Sequence, residues 1–172
     1  QWCRLITAGE RDAVVASSGP DPIRADADPE RAWRAVHRSK RAIGALLMDQ
    51  KIFAGVGNIY RAEVLFRHRI DPYLPGRDLD RATFDSVWAD LVALMAAGVE
   101  AGRIDTVEDA YLPEAMGRAP RVDRHGGEVY VYRRFGDPCH VCGTPVARAL
   151  LQGRNLYWCP SCQPSGAAGA PR

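Results

Sequence analysis

The sequence predicts a mainly α fold, a helical domain followed by a small β-hairpin closed on four cysteines. Three observations predict it. Apolar residues recur at helical spacing through residues 29–47 and again through 80–101. Asp28-Pro29-Glu30 caps the start of the first stretch. Cys139, Cys142, Cys159 and Cys162 form two C-x2-C pairs with sixteen residues between them, room for a hairpin and little else.

At 172 residues the chain can bury one medium core plus a small satellite. No uninterrupted apolar run approaches about 18 residues, so no membrane span is expected. Net charge is only +2, but basic and acidic residues are segregated. Residues 30–69 and 118–162 are rich in arginine, and the block between them is acidic. Arginine supplies all but two of the basic residues, Lys40 and Lys51 being the lysines. Its planar fork suits phosphate. Two basic blocks around an acidic one predict a polarised surface and point to nucleic acid.

The elements follow in order. Residues 1–28 open with an apolar fragment, Trp2 to Ile6, read as a strand remnant. A linker rich in glycine, proline and aspartate comes next. Cys3 reads as an ordinary buried small hydrophobe. The start at Gln1 with a strand-like fragment suggests part of a longer protein. Asp28-Pro29-Glu30 is a helix start: N-cap, proline at N1, acid in the first turn. Trp33, Val36, Lys40, Ile43 and Leu47 then share one helical face, with Ser39 a candidate break. Gly55-Val56-Gly57 makes a tight turn, and Asn58 stands where an N-cap would, opening a helix to about His68. Such a turn can grip a phosphate with backbone N–H groups, or merely connect two helices.

Asp80 opens the long helix, whose core-facing stripe is Phe84, Val87, Trp88, Leu91, Val92, Met95 and Val99. A shorter helix is expected near 106–116, then an exposed loop from Arg118 to Gly127. Val129 to Tyr132 leads into the hairpin, and the tail after Gln163 should be loose. The expected division is 1–28, a helical domain at 29–116, a connecting loop at 117–138, the cysteine hairpin at 139–163 and a flexible tail at 164–172.

Four thiolates at this spacing suit one tetrahedral zinc ion with a structural role, because a filled shell leaves no open position for catalysis. A disulfide framework is the rival reading. His140, between two ligands in sequence, reads as a surface knuckle residue and not a fifth ligand.

Met48-Asp49-Gln50, Gly55-Val56-Gly57-Asn58-Ile59-Tyr60 and Glu63 resemble the helix–two-turn–helix signature of the formamidopyrimidine-DNA glycosylase/endonuclease VIII (Fpg/Nei) family. Val131 to Arg134, Gly136 to Cys139 and the four-cysteine hairpin resemble its C-terminal zinc finger. The order and spacing match from about Gly19 to Gln163. The resemblance implies a helix–two-turn–helix domain followed by a zinc finger. It implies base-excision repair by a bifunctional glycosylase/AP lyase, which flips an oxidised base out of duplex DNA, cleaves its glycosidic bond and nicks by β,δ-elimination. Asn58 matches the family asparagine that binds a phosphate beside the flipped nucleotide. Arg154, at the hairpin tip, matches the arginine that holds phosphates flanking the lesion. Lys51, in the same turn as Asn58, is a third phosphate candidate.

The implied partner is double-stranded DNA carrying damaged bases or abasic sites, the implied state a monomer, the implied location the bacterial cytoplasm at the nucleoid. Ile43 to Gln50, Tyr60 to Glu63 and Tyr157 to Pro160 look closer to the endonuclease VIII branch, which points to oxidised pyrimidines. The family's nucleophile is an N-terminal proline amine followed by a glutamate. Gln1-Trp2-Cys3 supplies neither. No catalytic residue is therefore expected in this chain. Two alternatives stand beside the repair enzyme: a stand-alone zinc-dependent DNA-binding module, and a zinc-ribbon scaffold that docks protein.

Overall fold

The computed structural model describes residues 4–123 and 127–169. Helix α1, Ala8–Ser17, is followed by α2, Pro29–His37; α3, Ile43–Leu46; α4, Asn58–Arg67; α5, Arg81–Ala101; and α6, Pro113–Met116. Strands β1, Ala147–Leu151, and β2, Arg154–Trp158, form an antiparallel pair.

The N-terminal stretch departs from expectation. Arg4 to Ile6 form no strand, and the rest of that fragment, Cys3 included, lies outside the described residues. Thr7 instead starts α1 with a capping box. Its hydroxyl accepts from the Glu10 N–H at 3.2 Å, and Glu10 accepts from the Thr7 N–H at 2.8 Å. The linker after α1 is anchored. Gly19 N–H donates to Gln50 O at 2.8 Å, and Ala54 N–H donates to Pro20 O at 3.1 Å. A Cβ at Gly19 would sit 2.5 Å from the Ile52 carbonyl carbon, so only glycine allows this approach.

Helix α2 begins as read, with Asp28 accepting from Glu30 N–H at 3.0 Å and Pro29 at N1. It stops sooner than its apolar face suggests. Ser39 Oγ accepts from Arg41 N–H at 3.1 Å, and the Pro72–Gly76 segment takes over the backbone: Ile43 N–H donates to Leu74 O at 2.8 Å and Gly44 N–H to Pro72 O at 3.0 Å. The stripe is thus split between α2 and α3, and Lys40 is exposed.

Helix α5 is capped by Asp80, which accepts from Thr83 N–H at 2.9 Å, and ends on Gly102 at φ 66°. Phe84, Val87, Leu91 and Met95 are buried against Ile43, Leu46, Phe53 and Leu65. Each buried side chain of this size contributes about 1.5–3 kcal/mol. Val99 does not join them and is 71% exposed. The helix passes Tyr60 at Gly98, where a Cβ would lie 2.4 Å from the phenol oxygen, and its last turn runs into solvent. By length and mean hydropathy, 1.3, α5 could cross a bilayer, a property that reading for unbroken apolar runs misses. Asp90 in its middle ties it into a polar network, as in a core helix. Arg67 Nε donates to Asp90 at 2.7 Å and Arg67 Nη1 to Thr106 O at 2.6 Å, with His68 Nε2 3.2 Å from Asp90.

Residues 106–116 form a 3-10 turn at Asp109–Tyr111 and the short α6, not one helix. The next loop is half-buried in places and pinned by Arg118–Glu128 and Arg121–Asp123 ion pairs, both 2.6 Å. Val129 to Tyr132 is not mere connecting loop. All four side chains are buried, in a second core with Ala62, Phe66, Val146 and Tyr157. Glu63, fully buried on α4, accepts from the N–H groups of Tyr130, Val131 and Tyr132 at 2.7, 2.9 and 2.8 Å.

The hairpin turns at Gln152 and Gly153, with φ 49° and 74°, the doubly positive pattern of a tight type I′ connection. The expected loose tail is docked through residue 169. Asp71 N–H donates to Ala167 O at 2.8 Å, Gly166 N–H donates to the Asp71 carboxylate at 2.7 Å, and Ile70 bridges to Ala168.

Burial pushes the Asp90 carboxyl up, but the His68 and Arg67 hydrogen bonds outweigh it and hold it down at about 2, from an ordinary 3.8. A depressed folded-state value stabilises the fold fully above pH 4 and is lost as pH falls from about 4 towards 2. Asp90→Asn should cost on the order of 2 kcal/mol near neutral pH, and the gap to the parent should close by pH 2. Urea midpoints of the two proteins at pH 7, 4 and 2 measure this.

Candidate nucleic-acid interface

The four cysteine sulfurs lie within 4.8 Å of one another. Cys139 Sγ is 3.9 Å from Cys162 Sγ, and Cys142 Sγ is 3.4 Å from Cys159 Sγ. A disulfide needs about 2.05 Å, so all four are free thiols and the disulfide reading falls. Tetrahedral zinc with Zn–S near 2.3 Å wants sulfurs a little under 4 Å apart. The cluster fits. Its first knuckle is built by Gly143, at φ 75°, whose N–H donates to Cys139 O at 2.9 Å. In the second, Cys162 N–H points at Cys159 Sγ at 3.4 Å. Such N–H groups help a thiolate bear its charge.

His140 takes no part in the cluster. It is half-buried beside Arg118, Glu128 and Arg134, not out on the surface. Burial, then the Arg134 and Arg118 charges, push its pKa down to about 4.

The metal knuckles are welded to the helices. Gln163 Oε1 accepts from Cys159 N–H at 3.0 Å, and its Nε2 donates to Ile70 O at 2.9 Å. The tip of the hairpin reaches the start of α4. There the structure corrects one reading: Gly57 is the N-cap, and Asn58 is the first helical residue, with no capping bond from its side chain. The Asn58 carboxamide faces the hairpin. Its Nδ2 donates to Asn155 O at 3.0 Å, and its Oδ1 accepts from Arg61 Nη2. Arg61 also donates to Asn155 O at 2.8 Å and to Gly44 O at 3.4 Å. Arg61 is 0% exposed. Burial first, then the nearby Arg154 charge, lower its pKa to about 10.

Asn58 and Arg61 thus converge on the Asn155 carbonyl, and Arg154, the preceding residue, lies close enough for its charge to act on Arg61, although the two arginines are 93 positions apart in sequence. Arg154 is exposed. The glycine turn before α4 is braced from inside. Gln50 Oε1 accepts from Gly55 N–H at 2.9 Å, and its Nε2 donates to Val56 O at 2.9 Å. Nothing lies within 4 Å of the point where a Gly57 Cβ would sit, so the turn faces open space.

Lys51 is exposed on this turn, its N–H bonded to Asp49 Oδ1 at 3.1 Å. Among the described residues its ammonium makes no hydrogen bond to Asn58, Arg61 or the hairpin. Arg61 and Gln50 were given no role by sequence. Their signal was available but weak: Arg61 lies one turn beyond Asn58, at i+3. The arginine-rich blocks also overstate the interface. Arg67, Arg118, Arg121 and Arg134 are largely buried in internal pairs and carbonyl contacts.

Two known families match successive parts of the chain. A family described as the formamidopyrimidine-DNA glycosylase H2TH domain matches residues 18–109. A zinc finger found in FPG and IleRS matches residues 136–164. The protein called Endonuclease 8 1 of Mycobacterium tuberculosis is 52% identical over 164 residues, 94% of this chain and 59% of that protein. Formamidopyrimidine-DNA glycosylase of Thermus thermophilus is 36% identical over 149 residues, 86% of this chain and 54% of that protein. The crystal structure of the MutM (Fpg) protein from Thermus thermophilus superimposes with TM-score 0.70 at 34% identity, covering 93% of this chain and 59% of that one. Lactococcus lactis Fpg, solved with abasic-site DNA, shares the fold at TM-score 0.71 and 22% identity, covering 93% of this chain and 57% of that one. The chain therefore spans less than two thirds of these relatives.

The metal site yields a direct test. Elemental analysis should return one zinc per chain. Chelation should abolish the ordered hairpin at 139–162 while leaving most helical circular dichroism, because thiolate ligation supplies the folding energy that so small a module lacks.

Proposed function

The chain belongs to the formamidopyrimidine-DNA glycosylase/endonuclease VIII family, and from that premise we propose that it is the DNA-binding C-terminal half of a base-excision repair enzyme. The observation that carries this reading is that Asn58 is bonded to the hairpin at Asn155 O, one residue from Arg154, which brings Asn58 and Arg154 into one neighbourhood. One residue comes from a helix start and the other from a metal-rigidified tip. Both are suited to phosphate, and together they can grip a bent backbone from two directions. In this reading Ile43 to Arg67 is a helix–two-turn–helix element, and Lys51 adds a third phosphate contact from the exposed turn. The zinc is structural and takes no part in chemistry.

The parent enzyme removes oxidised bases and nicks the abasic product by β,δ-elimination. Oxidised pyrimidines are the preferred class, which the greater identity to an endonuclease 8 than to a formamidopyrimidine-DNA glycosylase supports. The protein acts on duplex DNA as a monomer in the bacterial cytoplasm. Excision in the family rests on a terminal proline amine and adjacent glutamate, and residues 1–172 supply the grip without that pair.

Asn58→Ala and Arg154→Ala should each weaken binding to abasic-site duplex, Arg154→Ala by more. A hydrogen bond to a charged group is worth about 1.5–3 kcal/mol. Titrations at several salt concentrations check it: Arg154→Ala should lower the salt slope by about one, whereas Asn58→Ala removes a neutral contact and should leave the slope nearly unchanged. Binding that ignores salt would favour a protein-docking scaffold instead.

The 172-residue chain should bind such DNA without excising bases. Joined to an N-terminal half that begins with a free proline, it should excise and form a borohydride-trapped adduct. Excision by the 172 residues alone would place a nucleophile within them, with Lys51 the first to mutate.

A further inference from the structure

Arg61 is a buried cation without a counter-ion. Among the described residues no carboxylate lies within ion-pair distance of it, whereas Arg67, Arg118 and Arg121 all have one. Its guanidinium spends its hydrogen bonds on two backbone carbonyls and the Asn58 side chain. A buried charge is ordinarily paired, since leaving it bare costs several kcal/mol. Here the charge is retained near the exposed Arg154, a like charge that acts against it. An anion bound there would offset both.

The Asn58 contact adds direction. A carboxamide has two faces, one accepting and one donating, and nothing in a lone helix start decides which way it turns. Guanidinium can only donate. Placed one turn along the helix, it forces Oδ1 inward. The amino group must then face the hairpin, where one N–H is taken by Asn155 O at 3.0 Å and the other is left to donate.

We infer that Arg61 is a positioning residue for phosphate binding: it locks the Asn58 carboxamide with its amino group outward and holds an uncompensated positive charge behind it, so that a DNA phosphate is the counter-ion the buried site lacks. This rests on the reading of Asn58 as a phosphate ligand. Arg61 itself touches no phosphate, being wholly buried, and acts through Asn58.

The test has two arms, both on the zinc-loaded 172-residue chain. The first needs no DNA. In 15N NMR the Asn58 side-chain amide of the parent should give two well-separated proton shifts, one proton close in space to the hairpin. In Arg61→Leu that pair should collapse towards free-amide values. The second arm is a double-mutant cycle on abasic-site duplex. Arg61→Leu should weaken binding by at least about tenfold. Adding Asn58→Ala on that background should cost less than about twofold, because the carboxamide is already unlocked. If Arg61→Leu fails to fold, Arg61→Lys replaces it in both arms. Lysine keeps the charge but cannot hold Oδ1 and both carbonyls, so it should show an intermediate collapse and intermediate affinity.

An amide pair unchanged without Arg61, or penalties that multiply independently, would overturn the inference. If Asn58→Ala leaves parental binding untouched, the phosphate reading of Asn58 fails, and the positioning of its amide is then decided by the NMR arm alone.

Discussion

The Glu63 carboxylate organises this molecule. It is completely buried, and it is held by four donors: three successive backbone N–H groups, Tyr130 to Tyr132, and the Thr106 hydroxyl at 2.6 Å. Consecutive N–H groups converging on one anion make a nest, which can replace most of the hydration a carboxylate loses on burial. Removing one partner from such a site leaves the rest bare, a loss of about 3–5 kcal/mol for a buried charge. The segment it grips is the one that delivers the chain to the metal site. The zinc hairpin is thereby fixed in angle and height relative to α4, and the position of Arg154 follows from it.

Helix α4 carries this burden in a short span. Its first residue, Asn58, and its fourth, Arg61, meet the hairpin at Asn155. Glu63 holds the connector, Ala62 and Phe66 pack in the second core, and Val64 and Leu65 pack in the first. Arg67 and the following His68 reach α5 through Asp90. The helix is buried nearly all round, and its charged residues are tolerated because each finds oriented donors or acceptors. The weld is doubled on the far side, where Gln163 joins the second cysteine knuckle to Ile70 and Asp71 holds residues 166 and 167. A finger attached at two places to the helical core keeps its tip in register with the glycine turn, as the proposed two-sided grip on a backbone requires.

Charge is used in two distinct ways. Arg67, Arg118, Arg121 and Arg134 spend their forks inside the protein, cross-linking loops that have little apolar surface of their own. Arg154, beside the buried Arg61, is left facing outward. Composition counts both kinds alike, so the basic blocks are a poor map of which arginines face outward.

What the sequence by itself determined is what depends on neighbours a few residues away. The cysteine spacing defined the zinc site, and Asp28-Pro29 and Asp80 defined two helix starts, because caps and knuckles are closed by bonds within one turn. The two matched motifs, in order, carried the family. What only the tertiary structure decided depends on polar groups that meet across the chain. The Thr7–Glu10 box was legible in principle, but an apolar pattern overrode it, whereas the break at Ser39 was already a candidate. The burial of Val129 to Tyr132, the docking of residues 164–169 and the Arg61 lock on Asn58 were not legible. Glu63 finds its donors 43 to 69 residues away, and Arg61 finds Asn155 94 residues away. Such pairs leave no period and no spacing in the sequence, since any polar residue brought to the same point by the fold could have filled the role.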